Sequence, residues 1–399
     1  MSRESFAGAG GTKDRKFRVL FVGADDIPIP SGVFSYIKGL SSNSRGGRFS
    51  YAMTASRVTQ VDPFLQKIEF PIGYGFSGLL RNASRLSALI RMHDVDLVHL
   101  HTVRAGFLGC VACLFSGTPI VYTGHSWRFL QKDSFLQKSL FYLIEQFICR
   151  KADAITFIAC DDHSLGKRYR FPINGKSRIV RTRINRKAFA GGEEGIRKVR
   201  ERWGLSASDF VVGNVSHLGE RKDPHTFLLA AAVIAGKMPN ARFLWVGEGE
   251  LRREAVEWIR ELGLKGKAVI TGFVPPTEVP DHLHAMDVFL FTSREEGVPL
   301  AMLEAQAVGL PVVSSRYIGS AIEELLVDRH NCLLFEPGDW ESAARQVVLV
   351  HEDPALRDEL VENGTRHFRE HHEGPELMTE EYESIYRALI EGVRVEVAG

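Results

Sequence analysis

The 399-residue chain is short of cysteine, of net charge and of long apolar runs. Five cysteines are an odd and sparse set, which fits a reducing compartment better than a disulfide framework. Lys and Arg total 50 against 49 Asp and Glu, leaving a formal charge of +1. A dedicated nucleic-acid binder would carry a clear basic excess. No window reaches the roughly 18 uninterrupted apolar residues of a membrane span. Residues 1–15, MSRESFAGAGGTKDR, have no apolar core of secretory type and read as a flexible tail. The location expected from these absences is cytoplasmic. No internal repeat or low-complexity segment occurs.

What is present is ordinary for a folded chain. Hydrophobic residues make up 44% and charged residues 25%, which excludes a disordered or fibrous protein. At ~150 residues per domain the length suggests two domains. The neutral sum conceals an asymmetry. Between Arg150 and Lys187 there are 11 Lys/Arg against 3 Asp, and from His351 to Gly399 there are 5 Arg against 13 Asp/Glu. A charge run is usually a solvated face, but a basic one is also where an anion can be held.

Lys16–Val22 is a short apolar run, followed by a polar loop and by helical spacing over Val33–Leu40. The pattern recurs at Asp96–His101 with Ala105–Phe115, and again at Pro119–Thr123. After a polar connection at Ala190–Asp209, a second series has strands at Phe210–Val215, Arg242–Val246, Ala268–Ile270, Val288–Phe291 and Pro311–Ser314. Strands alternating with helices predict an α/β fold with parallel sheets, here two Rossmann-like domains facing across a cleft. The expected division is a tail (1–15), a first Rossmann-like domain (16–190), a second (191–375) and a C-terminal helix (376–399). That helix carries Met378, Tyr382, Ile385, Tyr386 and Leu389 at helical spacing, a buried docking stripe expected to pack back towards the first domain. Ligands of such sheets bind at the carboxyl ends of the strands.

One segment, SREEGVPLAMLEAQAVGLPVVSS from Ser293 to Ser315, carries most of the chemistry. A strand ends at Thr292, Gly297 permits a tight turn, Pro299 suits the first helical position, and Gly309 with Pro311 stops the helix. Amides at Gly297, Val298 and Leu300 would then point out of a helix N-terminus, a phosphate site that needs no side-chain charge. Glu296 and Glu304 stand eight positions apart. Beside a phosphate, carboxylates are favourable only when they accept bonds from hydroxyls, as a ribose and a hexose would supply. The plainer alternative is one carboxylate at a helix N-terminus and one solvated glutamate.

The whole segment resembles the E-x7-E signature of the retaining family-four, group-one glycosyltransferases of the GT-B fold. SHLGERKDP (Ser216–Pro224) is similar to that family's phosphate-clamp loop, with Lys222 at the lysine and His217 where an arginine is usual. VGEGEL (Val246–Leu251) resembles its glycine turn, and Gly272, Phe273 and Val274 fall where its backbone meets the nucleotide base. Glu323 aligns with a glutamate of a further turn, although Ser320 and Ile322 depart from the pattern. Pro30–Val33 resembles its donor-phosphate glycine loop, with Gly32 kept and Ser31 departing. Asp96–His125 is similar to a long family stretch, with Arg104 at the usual lysine and His125 at a histidine that contacts the donor sugar. Thr182–Asn185 replaces the usual Asn-Gly-Ile-Asp, and Arg181 and Arg183 make that segment a candidate anion contact. The resemblance covers roughly residues 16–390.

It implies transfer of a sugar, with retained configuration, from a nucleoside diphosphate sugar (UDP by family weight) to a hydroxyl of a saccharide, lipid-linked or small-molecule acceptor. Neither a cofactor nor a divalent metal is implied. Glu296 would position the donor sugar, His125 its transferred end, Lys222 and His217 the diphosphate together with Gly297–Leu300, and Glu304 the ribose. Two alternatives share the scaffold: a UDP-sugar epimerase or phosphorylase, and a non-catalytic nucleotide-sugar-binding protein.

Other features compete for attention. Asp94 and Asp96 form a D-x-D pair, but they precede their strand, away from its carboxyl end. Cys110 and Cys113 lack the second pair that tetrahedral zinc requires. His99 and His101 share one strand face and read as core or strand-end histidines. Ser134–Arg150 is broadly apolar with cations. It reads as a packed helix, or, with the basic stretch 150–187, as a patch for peripheral association with the inner face of a membrane.

Overall fold

A computed structural model describes residues 15–23, 32–55, 63–70, 78–131, 134–319 and 322–393. All of the expected tail but Arg15, together with Pro30, Ser31 and Ser320, therefore lies outside the described residues, as does the side chain of Glu323. The chain divides into two compact units. One comprises residues 1–158, 163–180 and 376–399, and the other residues 159–162 and 181–375.

The first unit is built on β1 (Phe17–Val22), β2 (Phe49–Ala55), β3 (Leu65–Glu69), β4 (Leu97–His101), β5 (Ile120–Gly124), β6 (Ala154–Phe157) and β7 (Ser177–Ile179). Its helices are α1 (Gly32–Ser42), α2 (Leu79–Met92), α3 (Val103–Ser116), α4 (Phe135–Lys151), α5 (Cys160–Arg168, entered from residues of the second unit) and, at the far end of the chain, α14 (Pro375–Ile390). The strands form one parallel sheet in the order β3-β2-β1-β4-β5-β6-β7. Helices cover both faces, so β4 and β5 are buried at every residue and read as continuous apolar runs broken only by histidine and threonine. Val98, Leu100, Tyr122 and Ile155 pack with α2, α3 and α4 residues. On the other face α14 buries Met378, Tyr382, Ile385 and Tyr386. Tyr386 Oη lies 2.6 Å from His99 Nδ1, and Tyr382 Oη lies 3.1 Å from Thr123 Oγ1. The helix also carries a buried acid: Glu383 accepts from Ser44 Oγ and from Tyr51 Oη at 2.8 Å, so its desolvation is offset by hydroxyl donors.

The second unit holds β8 (Phe210–Val215), β9 (Ala241–Val246), β10 (Ala268–Ile270), β11 (Val288–Phe291), β13 (Val312–Ser315) and β15 (Leu333–Phe335), parallel in the order β10-β9-β8-β11-β13-β15. A separate parallel pair, β12 (Glu295–Glu296) with β14 (Ile318–Gly319), lies beyond β11. The helices are α6 (Glu193–Trp203), α7 (Pro224–Lys237), α8 (Arg252–Glu261), α9 (Val279–His284), α10 (Leu300–Val308), α11 (Ile322–Leu325), α12 (Trp340–Glu352) and α13 (Pro354–His371). Strand residues alternate between two cores. Val212, Phe243 and Trp245 join one, while Val211, Leu244 and Val246 join the other. In each unit the strand order reverses beside its first strand, between β1 and β4 and between β8 and β11. Loops leaving those strands diverge, which opens a crevice at the carboxyl ends.

Candidate active site

The second unit's switch point is organised by the loop after β8. Gly247 (φ +150°) and Gly249 let the turn after β9 lie directly on this loop, because a Cβ on either would overlap the carbonyl oxygen of Ser216 or Leu218. Leu218 N donates to Glu248 O at 2.9 Å and Leu251 N to Leu218 O at 3.0 Å. A 3-10 turn, Glu220–Lys222, then ends at Asp223, whose φ of +50° turns the chain into α7. Asp223 caps that helix, accepting from Thr226 N at 3.2 Å and Thr226 Oγ1 at 2.7 Å. It also accepts from Arg294 Nε at 2.7 Å. Thr292 Oγ1 bonds the carbonyls of Lys222 and Asp223 at 3.0 and 3.1 Å, and Arg294 N donates to Arg221 O at 2.7 Å.

The turn is thereby fastened to the segment after β11, and the fastening fixes one contact. Lys222 Nζ donates to Glu296 Oε1 at 2.5 Å, with the two side chains 23% and 9% exposed. So little exposure means that removing either partner leaves an ill-solvated charge, at a cost of roughly 3–5 kcal/mol for a fully buried pair. Glu296 is held from below by β14. Gly319 (φ +140°) sits so close that a Cβ there would overlap the Glu296 carbonyl.

Pro299 is not the first helical residue, contrary to the sequence reading. Its ψ of 104° is extended, so it serves as N-cap and α10 begins at Leu300. The amides of Val298 and Leu300 have no backbone acceptor among the described residues, and no side chain caps this helix. Glu304, one turn into α10, is half-buried and has neither a hydrogen bond nor an ion pair among the described residues. Burial pushes its carboxyl up to about 7. His217 Nε2 lies 2.5 Å from Glu250 Oε2, and both side chains are exposed. A bond to its own backbone and then the His217 contact hold the Glu250 carboxyl below its ordinary value, against the effect of desolvation. Phe273 is 54% exposed and Val274 half-buried, after Gly272 at φ +77°.

In the first unit His125 follows the carboxyl end of β5. Its Nε2 lies 2.9 Å from His101 Nδ1, and the Tyr36 ring meets it edge-on at 5.3 Å. Burial holds His125 down to about 4, so the imidazole is neutral at pH 7. Gly32 opens α1, with no described atom within 4 Å of where a Cβ would stand.

The competing features resolve into structural roles. Asp96 accepts from Arg15 Nη2 and from Arg18 N, each at 2.8 Å, at the start of β4. Cys110 and Cys113 are buried thiols, each pushed up to about 12. His99 and His101 are fully buried. Arg181 is paired with Glu324, and Arg183 donates to Glu373 O at 2.9 Å, so each guanidinium of that segment has an internal acceptor. Among the described residues no group of three or more His, Cys, Asp or Glu could hold a metal ion.

Two family models match, "Glycosyl transferases group 1" over residues 195–367 and "Glycosyltransferase Family 4" over residues 49–172. The chain belongs to the group 1 glycosyltransferases. A curated Escherichia coli enzyme, the UDP-Gal:alpha-D-GlcNAc-diphosphoundecaprenol alpha-1,3-galactosyltransferase, is 27% identical over 281 residues, 69% of this chain and 72% of that protein. Among solved structures, sucrose-phosphate synthase from Thermosynechococcus elongatus superposes with a TM-score of 0.80 at 18% identity, covering 94% of this chain and 100% of that one. Anabaena HepE in complex with UDP and glucose gives 0.77 at 18% identity, covering 93% and 100%. The fold is GT-B, with two Rossmann-like domains, and the protein is a glycosyltransferase enzyme.

Sequence reasoning missed several residues of this glycosyltransferase's second unit. Asp223, Thr292 and Arg294 lock the Lys222 turn, and Glu250 engages His217. Asp223 had a legible signal, an acid directly before Pro224 at a helix start. The partners contributed by Thr292 and Arg294 come from some 70 residues away and had none.

Proposed function

We propose that this glycosyltransferase moves a sugar from a UDP-sugar to a hydroxyl of a saccharide or lipid-linked acceptor, with retention of anomeric configuration and without a divalent metal. The observation that carries the reading is the Lys222–Glu296 pair set against the uncapped N-terminus of α10, with unpartnered Glu304 on the same helix. A cation and free amides suit a diphosphate, and a desolvated carboxylate without a donor suits a vicinal diol. Lys222, His217 and the Gly297–Leu300 backbone, with Pro299 setting its course, stabilise charge on the departing diphosphate, the electrostatic term that dominates such catalysis. Glu296 positions the donor sugar, Glu304 the ribose, and Phe273 and Val274 the base, while Gly32 admits backbone to the phosphates. His125 contacts the sugar near its transferred carbon. With the diphosphate charge met by Lys222 and amides, the chemistry assigns no step to a metal.

The UDP donor gains support from relatives whose names specify UDP-Gal or a complex with UDP. An acceptor at a membrane gains support from α4. Phe135, Leu136, Leu140 and Leu143 are 83, 79, 45 and 64% exposed, Arg150 and Lys151 follow them, and Glu145, the helix's single acid, is buried. Such a face suits peripheral docking on an anionic bilayer through α4 and the two cations that end it. No helix among the described residues is long and apolar enough to cross a membrane. The test is a donor panel of UDP-, GDP- and ADP-sugars, with product mass and anomeric configuration read for lipid-linked and soluble acceptors. Release of UDP with a retained linkage supports the reading. An inverted linkage, or a preference for another base, contradicts it.

A further inference from the structure

His101 has no part in the reading above, yet it touches a residue that does. β4 brings it fully buried to the carboxyl edge of the first unit's sheet, where its Nδ1 lies 2.9 Å from Nε2 of His125. Burial keeps both rings neutral at pH 7. Between two neutral imidazoles one nitrogen donates and the other accepts. Either His101 Nδ1–H donates, leaving its Nε2 as a bare lone pair, or His125 Nε2–H donates, leaving an N–H on His101 Nε2. That Nε2 is buried and has no hydrogen-bond partner among the described residues. Orphaned buried N–H groups are rarer than unmet acceptors, so the first arrangement is favoured. The pair cannot easily rearrange. The His99 ring packs on His101 at 4.2 Å, with its own nitrogens held by Tyr386 and Thr123, and Tyr36 closes against His125.

We propose that His101 is a positioning residue that fixes His125 as its Nδ1–H tautomer, so that His125 offers the donor sugar an N–H donor and selects an oxygen acceptor there. His125 Nδ1 has no partner among the described residues, which leaves it available for that bond. The proposal rests on the assignment of His125 to the donor sugar.

Two-bond ¹H–¹⁵N correlation of the histidine-labelled full chain at pH 7.5, without donor, reads the tautomer directly, with His125→Gln assigning the signal. The expected wild-type spectrum shows protonated Nδ1. His101→Asp puts an acceptor alone in the Nδ1 place and is expected to turn His125 to the Nε2–H form. His101→Asn, whose amide N–H takes the Nδ1 place, is expected to retain Nδ1–H. Donor turnover should follow, falling roughly tenfold or more in His101→Asp and recovering in His101→Asn, the usual scale for a group that orients another. Protonated Nε2 in the wild type overturns the proposal even if no variant folds, and so does Nδ1–H surviving in a folded His101→Asp. A tautomer that follows His101 while His125→Gln turns over normally instead removes His125 from the reaction.

Discussion

Glu304→Gln separates stability from function at one buried atom pair. Burial displaces this carboxyl from 4.5 to about 7, a penalty on the ionised folded form of about 3 kcal/mol. The folded chain holds the proton more tightly than the unfolded one. Stability is therefore greatest below about pH 4.5, falls as pH rises towards 7, and is level above. Glutamine has the same shape and no charge, so the variant should be more stable than wild type by up to about 3 kcal/mol at pH 8, with the gap shrinking towards pH 5. Donor binding should move the other way. Bonds to a charged acceptor contribute about 1.5–3 kcal/mol each, so losing the carboxylate from a ribose diol should weaken a UDP-sugar at least roughly tenfold. Wild-type affinity should itself fall about tenfold from pH 8 to pH 6 as Glu304 takes up its proton, while the variant loses that slope. Thermal melts and calorimetric titration at pH 6 and 8 read both effects. A variant less stable at each pH, or one with the wild-type pH slope, would refute the reasoning.

Gly319→Ala places a methyl against the Glu296 carbonyl at φ +140° and should cost about 1–3 kcal/mol, read as a lowered denaturant midpoint; an unchanged midpoint contradicts the close approach. Replacing Leu136 and Leu143 by serine should weaken co-sedimentation with anionic vesicles by roughly tenfold or more, since each apolar side chain buried contributes up to about 1.5–3 kcal/mol. Turnover on a water-soluble acceptor should stay the same, and undiminished vesicle binding would remove α4 from the docking surface. EDTA should leave transfer intact. Complete loss that added magnesium or manganese restores would point to a metal mechanism.

Much of the fold could be read in the sequence because buried parallel strands leave apolar runs. Phe17–Val22, Phe210–Val215, Ala268–Ile270 and Val288–Phe291 are strands as the runs suggested. β2 and β3 were illegible: FSYAMTA mixes polar residues with small ones, and LQKIE lies at the sheet edge, where half its residues meet water. β12 and β14 are two residues each and exist only through pairing between positions some 20 apart. In the site, residue types were legible and partners were not. Glu296 and Lys222 stood out by motif, yet nothing local indicated that His217 meets Glu250 or that Asp223 and Thr292 set the lysine turn. The commitment of Arg181 and Arg183 to internal acceptors was hidden for the same reason, since Glu324 and Glu373 lie far along the chain.

The central claim is that the Lys222–Glu296 pair serves sugar transfer from a UDP-sugar. Its most direct test is donor-dependent UDP release, with the cognate donor and acceptor, by wild type, Lys222→Ala and Glu296→Ala, each checked for folding by circular dichroism. Each variant should turn over at least ~10²-fold more slowly than wild type, the scale of losing one electrostatic contact to the departing group. Near-normal release by either folded variant would contradict the claim.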